Sequence, residues 1–144
     1  MAHKLTENNI FFLTSAFARK LGKQADELFE AVGLSSSHAL LLHLVHKNPD
    51  IQPGQLAKML HLKPSTITRL VQKLERRGLV EKQSAGRATN IVCTNEGRNI
   101  ADDIQQKWER LIQQKREQLG ERYVEVLSEM IANALDTMEE NESS

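Results

Sequence analysis

Cysteine occurs once in the 144 residues, as Cys93, so the chain can form no internal disulfide and has no thiolate cluster for zinc, a usage that suits a reducing compartment. Aromatic residues are nearly as scarce, with four Phe, one Tyr and one Trp, so a core must be built from Leu, Ile, Val and Ala. That composition favours helices over an aromatic-rich sandwich. No apolar run approaches the roughly 18 to 20 residues of a membrane span, and the stretch from Met1 to Ile10 lacks the apolar centre of a secretory signal. The expected location is the cytoplasm. Nothing pairs a nucleophile with a base, cradles a phosphate or sets two carboxylates together, so neither an enzyme nor a cofactor is expected.

Net charge is also absent, since 19 basic residues balance 19 acidic ones. The balance hides a segregation. From His61 to Thr94 the chain holds Lys63, Arg69, Lys73, Arg76, Arg77, Lys82 and Arg87 against Glu75 and Glu81, a net of +5 that leaves −5 on the rest. A local basic segment is what a nucleic-acid-reading element needs, because much of the binding energy comes from neutralised phosphates.

Apolar periodicity and breakers divide the chain into helices with one extended insert. Ile10, Leu13, Phe17, Leu21, Leu28 and Phe29 predict one long helix from Glu7 to about Val32, stopped by Gly33. Ser36 to Lys47 reads as a second helix with His38, Leu41, Leu42 and Val45 on its core face. A short helix from Pro53 to Leu60 and a longer one from Pro64 to Arg77 follow, separated by the turn His61-Leu62-Lys63, and each opens on proline in the first turn, where the missing N–H costs little. Leu79 to Lys82 and Asn90 to Thr94 read as strands around Ser84 to Thr89, a tip with no single expected conformation. Asn95-Glu96-Gly97 is a further break, after which Arg98 to Gln118 and Glu121 to Met138 read as helices divided by Gly120. The expected fold is mainly α with a small β-wing: a winged helix-turn-helix over 34–96, flanked by helical segments over 1–33 and 97–144.

Ile67, Leu70, Val71 and Leu74 fall at i, i+3, i+4 and i+7, so they form the buried seam of the helix that starts at Pro64. Ser65, Thr66, Thr68, Arg69, Gln72, Lys73 and Arg76 must then lie on its other faces. These side chains suit base edges and phosphates, and an arginine fork can bond guanine bidentately. Arg69 either reads a base or touches phosphate, and Ser65 either meets DNA or caps the helix.

The order of elements, together with Gly33-Leu34-Ser35, Gln55-Leu56-Ala57, the run Ser65 to Val71, the run Leu74 to Val80, and Thr94-Asn95-Glu96-Gly97, resembles the MarR family of bacterial transcriptional regulators over essentially the whole chain. The resemblance implies a sequence-specific regulator of double-stranded DNA, expected to be a repressor. It implies a homodimer built from the terminal helical segments, placing two recognition helices about 34 Å apart on a pseudo-palindromic operator. The surplus of apolar positions in those segments also calls for a partner. MarR-like wings carry an Asp-x-Arg pair in which the acid holds an arginine that reaches the minor groove. Here Arg87 stands at the arginine and Ala85 at the acid, so the wing arginine lacks its anchor and the wing is short. The family's cleft for small aromatic or phenolic effectors would be lined by Phe12, Ala16, His38 and Leu42. Some relatives sense zinc or peroxide, but His43 and His46 stand without further ligands, and Cys93 lies in a wing strand rather than in the first helix. No metal is therefore expected, and Cys93 reads as a packed thiol. The rival readings are a winged helix that binds a protein without reading DNA and a redox- or metal-responsive regulator.

Overall fold

The computed structural model describes residues 2–143, opens the long N-terminal helix at Ile10 rather than at Glu7, and sets a short helix ahead of it. Glu7 closes a short α1 (Ala2–Glu7), and α2 (Ile10–Phe29) begins afresh because the Asn9 side chain accepts the Phe12 N–H at 3.1 Å. That cap offers the backbone a local alternative to a continuous helix. A 3₁₀ turn, Glu30–Val32, ends at Gly33, whose φ of +70° turns the chain toward α3 (Ser36–Lys47). Ser35 caps α3 by accepting the His38 N–H, and the Asp26 carboxylate accepts the Ser36 N–H at 2.8 Å. The core face of α3 is Ala39, Leu41, Leu42 and Val45, while His38, expected on that face, is half-buried.

The helix-turn-helix forms where expected, as α4 (Pro53–Leu60) and α5 (Pro64–Arg76). Its turn holds no glycine, and His61 takes the left-handed conformation at φ +54°. The Leu62 N–H then reaches back to the Ala57 carbonyl at 3.0 Å and closes the end of α4. Ile67, Val71 and Leu74 of α5 are buried against the core with Leu41, Leu42, Leu56 and Ile91, while Leu70, expected in the same seam, is half-buried. Each such side chain contributes about 1.5–3 kcal/mol through the area it removes from water.

Strands β1 (Val80–Ala85) and β2 (Ala88–Cys93) pair antiparallel, with Val80 opposite Cys93 and Ala85 opposite Ala88. Residues 84–89, a tip with no single conformation expected from composition, are ordered by pairing that continues to a two-residue turn, Gly86-Arg87. Gly86 has φ +65° and Arg87 has no positive φ, the sign pattern of a type II′ turn, whose twist suits a hairpin. The base of the wing is held by a bridge in which the Ile91 N–H donates to the Ile51 carbonyl at 2.8 Å.

Asn95-Glu96-Gly97 is not the break expected from its composition but the first turn of α6 (Asn95–Leu119). Thr94 Oγ1 accepts the Gly97 N–H at 3.1 Å and donates to the Gly78 carbonyl at 2.6 Å, so one hydroxyl starts α6 and ties it to the end of α5. Gly97 is there for packing: a Cβ at that position would run into the Leu79 carbonyl oxygen. Beyond it, Ala101 and Ile104 are buried.

The chain divides into two compact units, Met1–Lys107 and Trp108–Ser144. The second consists of the rest of α6 and of α7 (Glu121–Ser143), which runs past the expected end at Met138. Among the described residues of α7 none is buried, and Tyr123, Met130 and Met138 are 60%, 64% and 60% exposed. Near the other end of the chain, Ile10 and Phe11 are 70% and 82% exposed. No single helix is long and apolar enough to cross a membrane.

Candidate nucleic-acid interface

The outer face of α5 follows from its seam. With Ile67, Val71 and Leu74 buried, Ser65, Thr68, Arg69, Gln72 and Arg76 are exposed, at spacings of three or four residues that align them in one stripe. Lys63 is the N-cap residue, so Ser65 lies inside the first turn and the capping alternative for it does not hold. The Thr68 hydroxyl donates to the Pro64 carbonyl at 3.0 Å. It keeps acceptor capacity on its oxygen. Thr66 and Lys73 are half-buried and flank the stripe. Lys73 lies near enough to His38 on α3 for its charge to lower the imidazole pKa.

The basic segment separates into cations with internal partners and cations without. Arg77 donates to the carbonyls of Gly33 at 2.6 Å and Val32 at 3.3 Å, and Lys82 pairs with Glu75 at 3.4 Å. Among the described residues, Arg69, Arg76 and Arg87 make no ion pair or hydrogen bond and point charge into solvent. Arg87 occupies the second position of the wing turn, at the far end of the hairpin from its Ile51–Ile91 tether. The stripe thus presents forked and hydroxyl groups on a rigid helix, and the wing presents one arginine on an extended arm.

Of the residues expected at an effector cleft, Phe12 is exposed, Ala16 and His38 are half-buried, and Leu42 is fully buried. Phe12 and Ala16 lie on α2, and His38 and Leu42 on α3, one turn apart in each pair. Burial, then the charges of Lys73 and Arg77, hold the His38 imidazole below its ordinary pKa, and its Nδ1 lies 2.6 Å from Ser35 Oγ. A separate concavity of about 670 Å³ lies behind the wing, lined by Glu75, Glu81, Glu96, Arg98 and Cys93 among others, and contains none of those four residues. Burial raises the Cys93 thiol pKa, partly offset by Arg98, which disfavours the reactive thiolate.

Sequence reasoning missed the residues that hold the frame. Arg77 bonds carbonyls 44 and 45 residues away, and Asp26 caps a helix 10 residues on, separations that no local pattern marks. Thr94 was legible only as part of a family-like string.

Residues 32–88 match the model of the MarR family. No curated protein matches the chain. Solved structures do: the transcriptional regulator SlyA shares 21% identity at a TM-score of 0.81, over 93% of this chain and 96% of that one. MepR of S. aureus, solved as a complex with DNA, shares 20% identity at a TM-score of 0.80, over 91% and 99% of the two chains. CouR from Rhodococcus jostii RHA1, solved with p-coumaroyl-CoA bound, shares 24% identity at a TM-score of 0.78, over 90% and 94%. At these identities the likeness is one of fold, and that fold is the winged helix of MarR-family regulators.

Proposed function

From a chain that carries the MarR-family winged helix, we propose a homodimeric, sequence-specific regulator of transcription that represses by occupying a pseudo-palindromic operator. The observation that carries this reading is the stripe Ser65, Thr68, Arg69, Gln72 and Arg76, exposed on a helix whose opposite side is locked into the core. Such a helix can enter a major groove with its donors already positioned, while Thr66, Lys73 and Arg87 supply flanking contacts. The DNA complex of the similar MepR supports the same use of the fold here. Dimerisation follows from the uncovered apolar side chains of α2 and α7, which a second copy would bury, so residues 1–33 and 97–144 serve as the dimerising segments around the reading head at 34–96.

Release by a small aromatic or phenolic ligand belongs to the same reading. The ligand on CouR supports that class, and Phe12, Ala16, His38 and Leu42 are the residues proposed to meet it. Binding that favours one separation of the two heads lowers operator affinity by linkage.

The test is selection of duplexes from random DNA by the purified protein, followed by titration of the winner at several salt concentrations. A two-fold symmetric consensus is expected, with log affinity falling against log salt at about 0.9 per phosphate contact. Binding that is absent, or indifferent to sequence and salt, would leave the protein-interaction reading in its place.

A further inference from the structure

Arg77 belongs to the basic segment by sequence, yet its guanidinium is bonded to the chain's own backbone at Gly33 and Val32, and we infer that it is a positioning residue that sets the angle of the recognition helix. The inference rests on the DNA-reading function proposed above and adds a residue to it that does not itself touch DNA. Arg77 immediately follows α5, and its two donating nitrogens bond the carbonyls of Gly33 and Val32, where the N-terminal helical segment ends. The dock is shaped for a flat group. Gly33, at φ +70°, has no side chain, and a Cβ there would lie 3.3 Å from Nη1 and 3.4 Å from Nη2 of Arg77. A lysine ammonium carries the same charge but lacks the planar fork that spans two carbonyls.

The geometry gives this tie leverage over DNA reading. Helix α5 has 13 residues and is about 20 Å long. Its apolar seam holds it against the core, and the directional bonds of Arg77 add a fixed angle at its C-terminal end. A tilt of about 5° about the Arg77 end moves the Ser65 end by roughly 1.7 Å over that length, enough to break hydrogen bonds that need 2.7–3.2 Å. The same C-terminus has a second tie, where Thr94 Oγ1 donates to the Gly78 carbonyl. The recognition helix is thus clamped between the end of the N-terminal segment and the start of α6, so displacement of either is passed to its reading stripe.

The experiment compares wild type, Arg77→Lys and Arg77→Gln on the duplex selected by the wild-type protein, as a function of salt and well below each protein's melting temperature. Arg77→Lys is expected to weaken binding by about tenfold, within the span of residues that couple distant elements. Arg77→Gln should weaken it at least as much, and both should keep the wild-type salt slope. If Arg77→Lys binds as wild type while Arg77→Gln weakens binding and makes the slope shallower by about one, Arg77 touches phosphate and the inference is overturned. Unchanged affinity of both folded variants, with only the melting temperature lowered, overturns it too by reducing Arg77 to a purely structural role. A wild-type protein that binds no duplex removes the regulator reading itself, an outcome distinct from these.

Discussion

The recognition helix and the wing leave the core within a few residues of each other, one ending at Arg76 and the other starting at Val80, but they are secured in opposite ways. Helix α5 is fixed along its whole length by Ile67, Val71 and Leu74, and at its C-terminal end by Arg77 and by the Thr94–Gly78 bond. The hairpin is fixed at its base by Val80, Ile91 and the bridge to Ile51, while Gln83, Ser84, Gly86, Arg87 and Thr89 are all exposed. A side chain on the helix is therefore carried by backbone fixed against the core, whereas Arg87 is carried at the far end of an arm anchored at its base. The difference teaches that discrimination between sequences should reside in the helix, with the wing adding charge.

The largest expected effect is on stability. Leu74 is fully buried in the seam of α5, so Leu74→Ala should cost about 2–5 kcal/mol in urea unfolding. Arg87→Ala, at an exposed turn, should leave the midpoint unchanged. Equal losses from the two would abolish the contrast. Next comes specificity: Arg69→Ala should cost about 1–3 kcal/mol on the selected duplex and relax preference at one base position. Arg87→Ala should weaken selected and random duplexes alike and make the salt slope shallower by about one. A base preference lost on changing Arg87, but not Arg69, would invert the comparison.

Much of this contrast was legible in the sequence, and what was not has a physical cause. The seam of α5 was readable because a period of 3.6 residues is imposed by a single buried face. The helix-turn-helix boundaries were readable because Pro53 and Pro64 suit only the first turn of a helix. The start of α6 was misread because Gly97 resembles a breaker, whereas it serves the close passage of the Leu79 carbonyl, a contact between segments that composition cannot show. The start of the long N-terminal helix was placed at Glu7 rather than Ile10, because the apolar positions that mark it begin only at Ile10 and the Asn9 side-chain cap decides where it opens. The stripe from Ser65 to Arg76 was obtained by subtracting the seam, but the withdrawal of Arg77 from the basic set depends on a tertiary partner and had no local trace.

The smallest predicted effect uses pH to separate the two regions. His38 lies against the recognition-helix side of the core, where burial and then the charges of Lys73 and Arg77 lower its pKa from 6.5. A depressed folded pKa means that the unfolded chain takes up the proton first as pH falls. The stability linked to neutral His38 is thus fully present above about pH 6.5 and is lost as pH falls through the folded value, after which it changes no further. Urea midpoints should therefore decline below neutrality in wild type and decline less in His38→Gln. Asp26 acts in the same direction in a lower window: the Ser36 N–H lowers its pKa from 3.8, so its contribution is present above that value and fades in stronger acid, and Asp26→Asn should flatten that part alone. Arg87 is exposed at the wing turn and is not among the groups that shift His38 or Asp26, so Arg87→Ala should leave both pH profiles parallel to wild type. A His38→Gln profile that also runs parallel to wild type between pH 7.5 and 5 would show that the imidazole does not report on the recognition helix.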